Sequence, residues 1–227
     1  ILDILGLNSA NLNIEEATRD FNNYYSEPSI ENNGSNKNLV FIYSEGVEQT
    51  HMDEELFPGL TPNLSRLQSE SLYFDNIRST IGTRFTIGGI VASHCGIPLL
   101  ASSHLNSMGN ADRFLPHATC LGDLLSDEGY YLSYFGGADL EFAGKGKFLS
   151  GHGFDEVSGL HELQEKMSDK EYASWWGLYD DTLFSFVSDR FRELSQKDQN
   201  FALFALTLDA HHPWGNPSKS CDGLVYQ

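Results

Sequence analysis

Two short segments of the chain are apolar at almost every position. Residues 39–43 read Leu-Val-Phe-Ile-Tyr, and a second such run extends from Phe201 to Leu208, ending at Asp209. Apolar runs of this length, bounded by polar residues, fit strands covered on both faces. Tyr130 to Phe135 predicts a further strand running into Gly136-Gly137, and Leu72, Phe74 and Ile77 predict another. Between these runs the spacing becomes helical. Thr61 is an N-cap followed by Pro62 at the first helical position, with Leu64 and Leu67 three apart. Ala118 or Thr119 opens a helix with Leu121, Leu124 and Leu125 on one face, and Gly129 suits its C-terminal stop. Asp180 caps a helix carrying Leu183, Phe184, Val187, Phe191 and Leu194 near the 3.6-residue period. Strands and helices alternate, with crossovers long enough for helices. The predicted fold class is α/β: a mostly parallel sheet with helices on both faces.

Residues 1–37 break this pattern. They are polar and Asn-rich, and read as an arm or linker with a short helix near Ile14 to Phe21; the globular part spans 38–227. With 227 residues, 40% hydrophobic and 12% aromatic, a sizeable core is expected. The net charge of −18 leaves no basic footprint for nucleic acid and disfavours electrostatic docking on an anionic membrane. An anionic substrate would need a local positive centre, such as a metal ion. No apolar stretch approaches the ~18 residues that span a bilayer. The start Ile1-Leu2-Asp3 lacks Met and a basic leader region, and reads as a piece excised from something longer. The three cysteines, Cys95, Cys120 and Cys221, show no Cys-x-x-Cys spacing, which argues against a cysteine zinc site. They read as buried thiols, or as one bridged pair in an oxidising compartment.

Candidate chemistry sits where apolar runs end. Glu45 stands just beyond the first strand, where parallel sheets collect ligands; it is a loop solvator, a helix cap or a metal ligand. Thr83 follows Gly82 and precedes the apolar run Phe85 to Val91. A threonine there is an N-cap, or a hydroxyl set among free N–H groups that suit a phosphoryl oxyanion. Free threonine is a poor nucleophile and needs a base or a metal, which Glu45 would hold. His211 lies past the end of the Phe201–Leu208 run, on a loop with His212 and Pro213.

Taken in order, Asn38-Leu-Val-Phe-Ile-Tyr-Ser-Glu45, Leu60-Thr-Pro-Asn-Leu-Ser-Arg-Leu67, Gly82-Thr83 and His211-His212-Pro213 resemble the alkaline phosphatase/sulfatase superfamily. Within it, residues 38–227 are similar to the extracytoplasmic phosphoglycerol transferases, with lipoteichoic acid synthase and the phosphoethanolamine transferases as more distant relatives. The resemblance implies that Glu45 binds metal, that Thr83 is both nucleophile and metal ligand, and that His211 contacts the phospho-headgroup. His212 falls where relatives carry another residue. Phe135 to Lys145 resembles the headgroup-recognition loop, which makes Phe142 and Lys145 the counterparts of its aromatic and basic residues.

The resemblance further implies a divalent cofactor, Mn²⁺ or Mg²⁺ with Zn²⁺ as the alternative. It implies a phosphatidylglycerol headgroup as donor, a periplasmic glucan as acceptor and a threonine-linked intermediate. It places the chain on the periplasmic face of the inner membrane, attached through segments outside this sequence. The oxidising compartment so implied makes Cys95–Cys120 the expected disulfide. The family completes its metal site with an Asp-His pair and a further Asp, expected here beyond Gln227. By itself the chain is therefore expected to bind metal poorly and to be inactive. Close alternatives are a phosphoethanolamine transferase or a phosphodiesterase. A non-catalytic ectodomain that binds lipid headgroups or glucan is the alternative of another class. A sulfatase fits less well, because Cys95 sits in His94-Cys95-Gly96-Ile97-Pro98-Leu99 and lacks the Cys-x-Pro-Ser-Arg context.

Overall fold

The structure, a computed structural model, describes residues 26–30, 37–100, 107–110 and 113–221. The short helix expected near Ile14 to Phe21, and most of the 1–37 arm, lie outside them.

The sheet has four strands: β1 (Leu39–Tyr43), β2 (Tyr131–Gly136), β3 (Glu156–Ser158) and β4 (Phe201–Leu206). Their order is β1-β4-β2-β3 and every pairing is parallel. The last strand therefore enters between the first and second, and Phe204 registers with Phe41 on one side and Tyr134 on the other.

Helices cover the two faces as expected. Against one face lie α2 (Thr86–Cys95), α3 (Leu121–Asp127) and α4 (Lys145–Gly151), placing Ile87, Ile90, Val91, Leu125 and Phe148 on Leu132, Tyr134 and Phe204. Against the other lie α5 (Leu160–Gln164) and α6 (Asp180–Leu194), whose Leu163, Leu183, Val187 and Leu194 pack on Phe135, Phe201 and Leu203. A further helix, α1 (Pro62–Glu70), starts where Thr61 and Pro62 predict it and buries none of its residues. The cystine Cys95–Cys120 ties the end of α2 to the start of α3, while Cys221 is a free, exposed thiol.

The sequence reading needs correcting in four places, the first being that Cys120, and neither Ala118 nor Thr119, is the cap of α3. Among the described residues β1 is not covered on both faces: it lies at the edge of the sheet, and Val40 and Ile42 are 47% and 52% exposed. Leu72, Phe74 and Ile77 form no strand and face solvent. Asp180 is the first residue of α6 rather than its cap. Its carboxylate instead accepts the N–H groups of Leu208 (2.6 Å) and Asp209 (3.1 Å), joining the helix to the chain just past β4.

Candidate active site

The carboxyl ends of β1, β2 and β4 converge, as the ligand-binding edge of a parallel sheet should. Glu45 is two residues past β1. Its N–H donates to Thr207 Oγ1 (2.9 Å), and the Thr207 N–H donates to the Tyr43 carbonyl (3.0 Å). The ladder between β1 and β4 thus continues beyond the strands and fixes the Glu45 backbone beside the end of β4. Gly46 follows at φ 70°, where a side chain would collide with the Ala210 carbonyl oxygen.

From the helical side, α2 brings its first residue to this carboxylate: Thr86 Oγ1 donates to Glu45 Oε2 at 2.8 Å. The α2 N-cap is Phe85, which makes no side-chain capping bond. The first N–H groups of α2 and the positive end of its dipole are left to serve a ligand.

Thr83, expected to be the hydroxyl on Glu45, makes its hydrogen bonds within its own turn. It lies three residues before α2. Its hydroxyl donates to the Thr80 carbonyl (3.0 Å) and accepts the Thr80 N–H (2.8 Å), closing a turn of its own. Thr83 and Glu45 do line one open cavity of about 640 Å³, together with Tyr43, Ser79 and Thr86. The hydroxyl bonded to the carboxylate is nevertheless that of Thr86. The turn chemistry of Gly82-Thr83 masked this in the sequence. The helical apolar positions, Ile87, Ile90 and Val91, begin only after Thr86.

The other expected residues meet in an adjoining cavity of about 230 Å³, lined by Glu45, Thr86, Phe142, Lys145, His211 and His212 among others. Lys145 is 3% exposed. Its ammonium donates to the Phe142 carbonyl (2.9 Å) and stands 4.9 Å from the centre of the Phe142 ring. Burial pulls Lys145 down to about 8, against the opposing pull of the Asp139 and Glu45 charges, so the side chain stays mainly cationic at neutral pH.

Two further lining residues, Trp176 and Arg84, were not legible as site residues. Trp176 lies edge-on to Phe142 (5.5 Å between ring centres) and packs on His211 (4.5 Å). His211 Nδ1 is 2.6 Å from the His212 carbonyl oxygen, an acceptor that requires the proton on Nδ1. Arg84 borders both cavities. Lysine, arginine and a helix N-terminus thus gather positive charge around Glu45 in a chain of net charge −18.

For a divalent ion, the oxygens of Glu45 and Thr86 are the right chemistry and already 2.8 Å apart. They fit as two members of a set that normally numbers at least four. A second group of ligand-type atoms, on Cys120, Asp123 and His152, serves the core instead. Cys120 is bonded to Cys95, and His152 is held between Asp123 Oδ2 (2.8 Å) and the Phe114 carbonyl (3.1 Å).

Comparison with known proteins agrees with this architecture. The sulfatase family profile matches residues 37–223. The chain is 45% identical over 207 residues to phosphoglycerol transferase I of Escherichia coli O6:K15:H31, covering 91% of this chain and 27% of that protein. Among solved structures, it matches a protein of the alkaline phosphatase superfamily from Vibrio parahaemolyticus with a TM-score of 0.69 at 20% identity, over 100% of this chain and 54% of that one. It matches the lipoteichoic acid synthase LtaP of Listeria monocytogenes with a TM-score of 0.70 at 19% identity, over 92% of this chain and 50% of that one. The profile match over most of the chain, to which the parallel sheet and its helical layers conform, leads to one assignment: the protein belongs to the sulfatase family.

Proposed function

We propose that this chain is the nucleophile-bearing part of a phosphoglycerol transferase, and that its nucleophile is Thr86. The observation that carries the assignment is the 2.8 Å hydrogen bond from Thr86 Oγ1 to Glu45 Oε2 at the open N-terminus of α2. The 45% identity to phosphoglycerol transferase I supports the reaction class.

In this reading the phosphodiester of a phosphatidylglycerol-type lipid enters with its glycerol end in the smaller cavity. Lys145 and the free N–H groups of α2 hold the phosphate oxygens. Phe142, Trp176 and His211 enclose the glycerol. Thr86 Oγ attacks phosphorus, and its proton passes toward Glu45 Oε2. The bond from phosphorus to the diacylglycerol oxygen breaks, that oxygen takes up the proton from Glu45, and phosphoglycerol remains esterified to Thr86. A sugar hydroxyl of a glucan then attacks the same phosphorus and releases Thr86. Glu45 and Thr86 are the residues that would hold a divalent cation, Mn²⁺ or Mg²⁺ with Zn²⁺ as the alternative; its chemistry is to acidify the hydroxyl and neutralise charge at phosphorus. The remaining ligands would come from outside this chain. The reaction would run at the periplasmic face of the membrane.

Trypsin cuts after Arg84 and so separates Thr83 from Thr86. Mass spectrometry of the complete enzyme, quenched during turnover of a phosphatidylglycerol analogue, should find phosphoglycerol on the peptide that begins at Phe85. Thr86→Ala should abolish the adduct and diacylglycerol release, while Thr83→Ala retains both. An adduct on the peptide that ends at Arg84 would return the role to Thr83.

A further inference from the structure

Of the three tryptophans of this chain, Trp176 lines the smaller cavity, Trp175 packs on Trp176, and Trp214 follows His211 and His212, which line the same cavity, on one loop. Trp176 lines the wall. The other two face water: Trp175 is 70% exposed and Trp214 is 86% exposed.

Both exposed indoles are on turns held by several hydrogen bonds. In the first turn, the Ser174 and Gly177 backbones bond to each other in both directions (2.7 and 3.2 Å). Ser174 Oγ also accepts the Trp176 and Gly177 N–H groups. Gly177 presses against the Gly137 carbonyl, an approach that any side chain would block. This turn sends Trp176 inward and Trp175 outward, with the two rings 4.9 Å apart. In the second turn, the Gly215 N–H donates to the His211 carbonyl (3.1 Å) and the Asn216 N–H donates to the Asp209 carbonyl (2.6 Å), which leaves Trp214 at the tip. Trp176, His211 and His212 pack ring on ring between the two turns.

We propose that Trp175 and Trp214 form a rim that seats the cavity mouth on a phospholipid bilayer, in the layer between headgroups and acyl chains. The proposal rests on the lipid-donor reading above: a diacyl lipid reaches Thr86 only if the mouth abuts the bilayer. Tryptophan is the side chain that prefers that layer. Ser174, the hydroxyl beside Trp175 and Trp176, is consumed within its own turn. Because the net charge is −18, the contact is apolar rather than electrostatic. Zwitterionic vesicles should therefore bind at least as well as anionic ones, and added salt should improve binding to anionic vesicles.

Intrinsic fluorescence reports these residues directly, since the chain's tryptophans are the cavity-lining Trp176 and the two proposed rim residues. The 227-residue chain, titrated with phosphatidylcholine vesicles, should shift its emission to the blue and co-sediment. Trp175→Ala/Trp214→Ala should weaken partition about tenfold or more, as loss of two buried aromatic side chains implies, with thermal unfolding unchanged. Association that survives the double substitution, carried for example by exposed Leu72, Phe74 and Ile77, overturns the proposal. So does a shift produced by soluble glucan but not by vesicles. Vesicle binding through the tryptophans, with no adduct from a water-soluble short-chain donor in the complete enzyme, keeps the rim and rejects the donor reading. The adduct without vesicle binding rejects the rim alone.

Discussion

Strands β1 and β4 are hydrogen-bonded neighbours of similar length and similar apolar composition, yet they live in different surroundings. All six residues of β4 are buried, because β1 and β2 flank it and helices cover both its faces. In β1, only Leu39, Phe41 and Tyr43 reach the core, on the side of α2; Val40 and Ile42 point to water. An apolar run states that a strand wants cover on two sides, but not whether cover is present. The Glu45 carboxylate grows from the poorly covered strand, and its backbone is held by the well-covered one through Thr207. The site thus borrows its rigidity from β4.

The sharpest way to break this comparison is to delete equivalent bulk from each strand. Phe204 is fully buried, stacks on Phe41 (4.7 Å) and meets Phe154 (5.0 Å). Phe204→Ala should cost about 3–5 kcal/mol, from lost burial plus the cavity left behind. Ile42→Ala, on the bare face of β1, should cost within about 0.5 kcal/mol. Urea unfolding of both variants checks the contrast; similar losses would mean that β1 is packed after all.

The second largest effect concerns the cystine beneath the well-covered face. Cys95 and Cys120 are 25 residues apart in sequence. Cys95→Ala/Cys120→Ala should lower stability by about 2–4 kcal/mol, mainly by freeing the unfolded chain. Denaturation of the oxidised parent beside the double variant measures it.

Much of this division was readable in the residues, and the unread part has physical causes. β1, β2, β4, α1 and α6 declare themselves by period and caps, because each carries a long apolar run or a clear stop. β3 and α5 have three and five residues, too short for a period to emerge. Leu72, Phe74 and Ile77 are apolar but belong to no strand among the described residues, because apolar character records a tendency and not a partner. In the site, Glu45, Phe142, Lys145 and His211 follow from their positions after apolar runs and from resemblance. The shift from Thr83 to Thr86 does not, because both are threonines near a helix start and only three-dimensional register decides which one faces Glu45.

Acid should separate the two regions next. His94 is buried among Tyr43, Phe148, Phe154 and Phe204, and neither ring nitrogen has a hydrogen-bond partner among the described residues. Burial pulls it down to about 4, helped by the His152 charge and opposed by Asp123. The unfolded chain takes up this proton near 6.5 and the folded chain only near 4, so stability is lost as pH falls through that window, by at most about 3 kcal/mol. Asp209 works the other way. Burial and the Asp180 charge raise it to about 6, so its protonation favours the fold as pH falls from 6 toward 3.8. His94→Leu should flatten the acid-side loss of stability between pH 6.5 and 4; an unchanged profile would place the titrating group elsewhere.

The smallest effect is the one that tests what the bare face of β1 is for. Ile42 is 52% exposed on an edge strand, so Ile42→Lys removes little packing and should change folding stability by no more than about 0.5 kcal/mol. The same substitution places a charge among Val40 and the open strand edge, the standard obstacle to edge-to-edge association. If that face is an association surface, the variant should sediment as a smaller species than the parent at equal concentration. Its unfolding midpoint and the Thr86–Glu45 pair should stay unaffected, since both hang on the opposite face and on β4. If the midpoint falls with the association, the surface takes part in the fold itself, and the contrast between β1 and β4 is then one of degree.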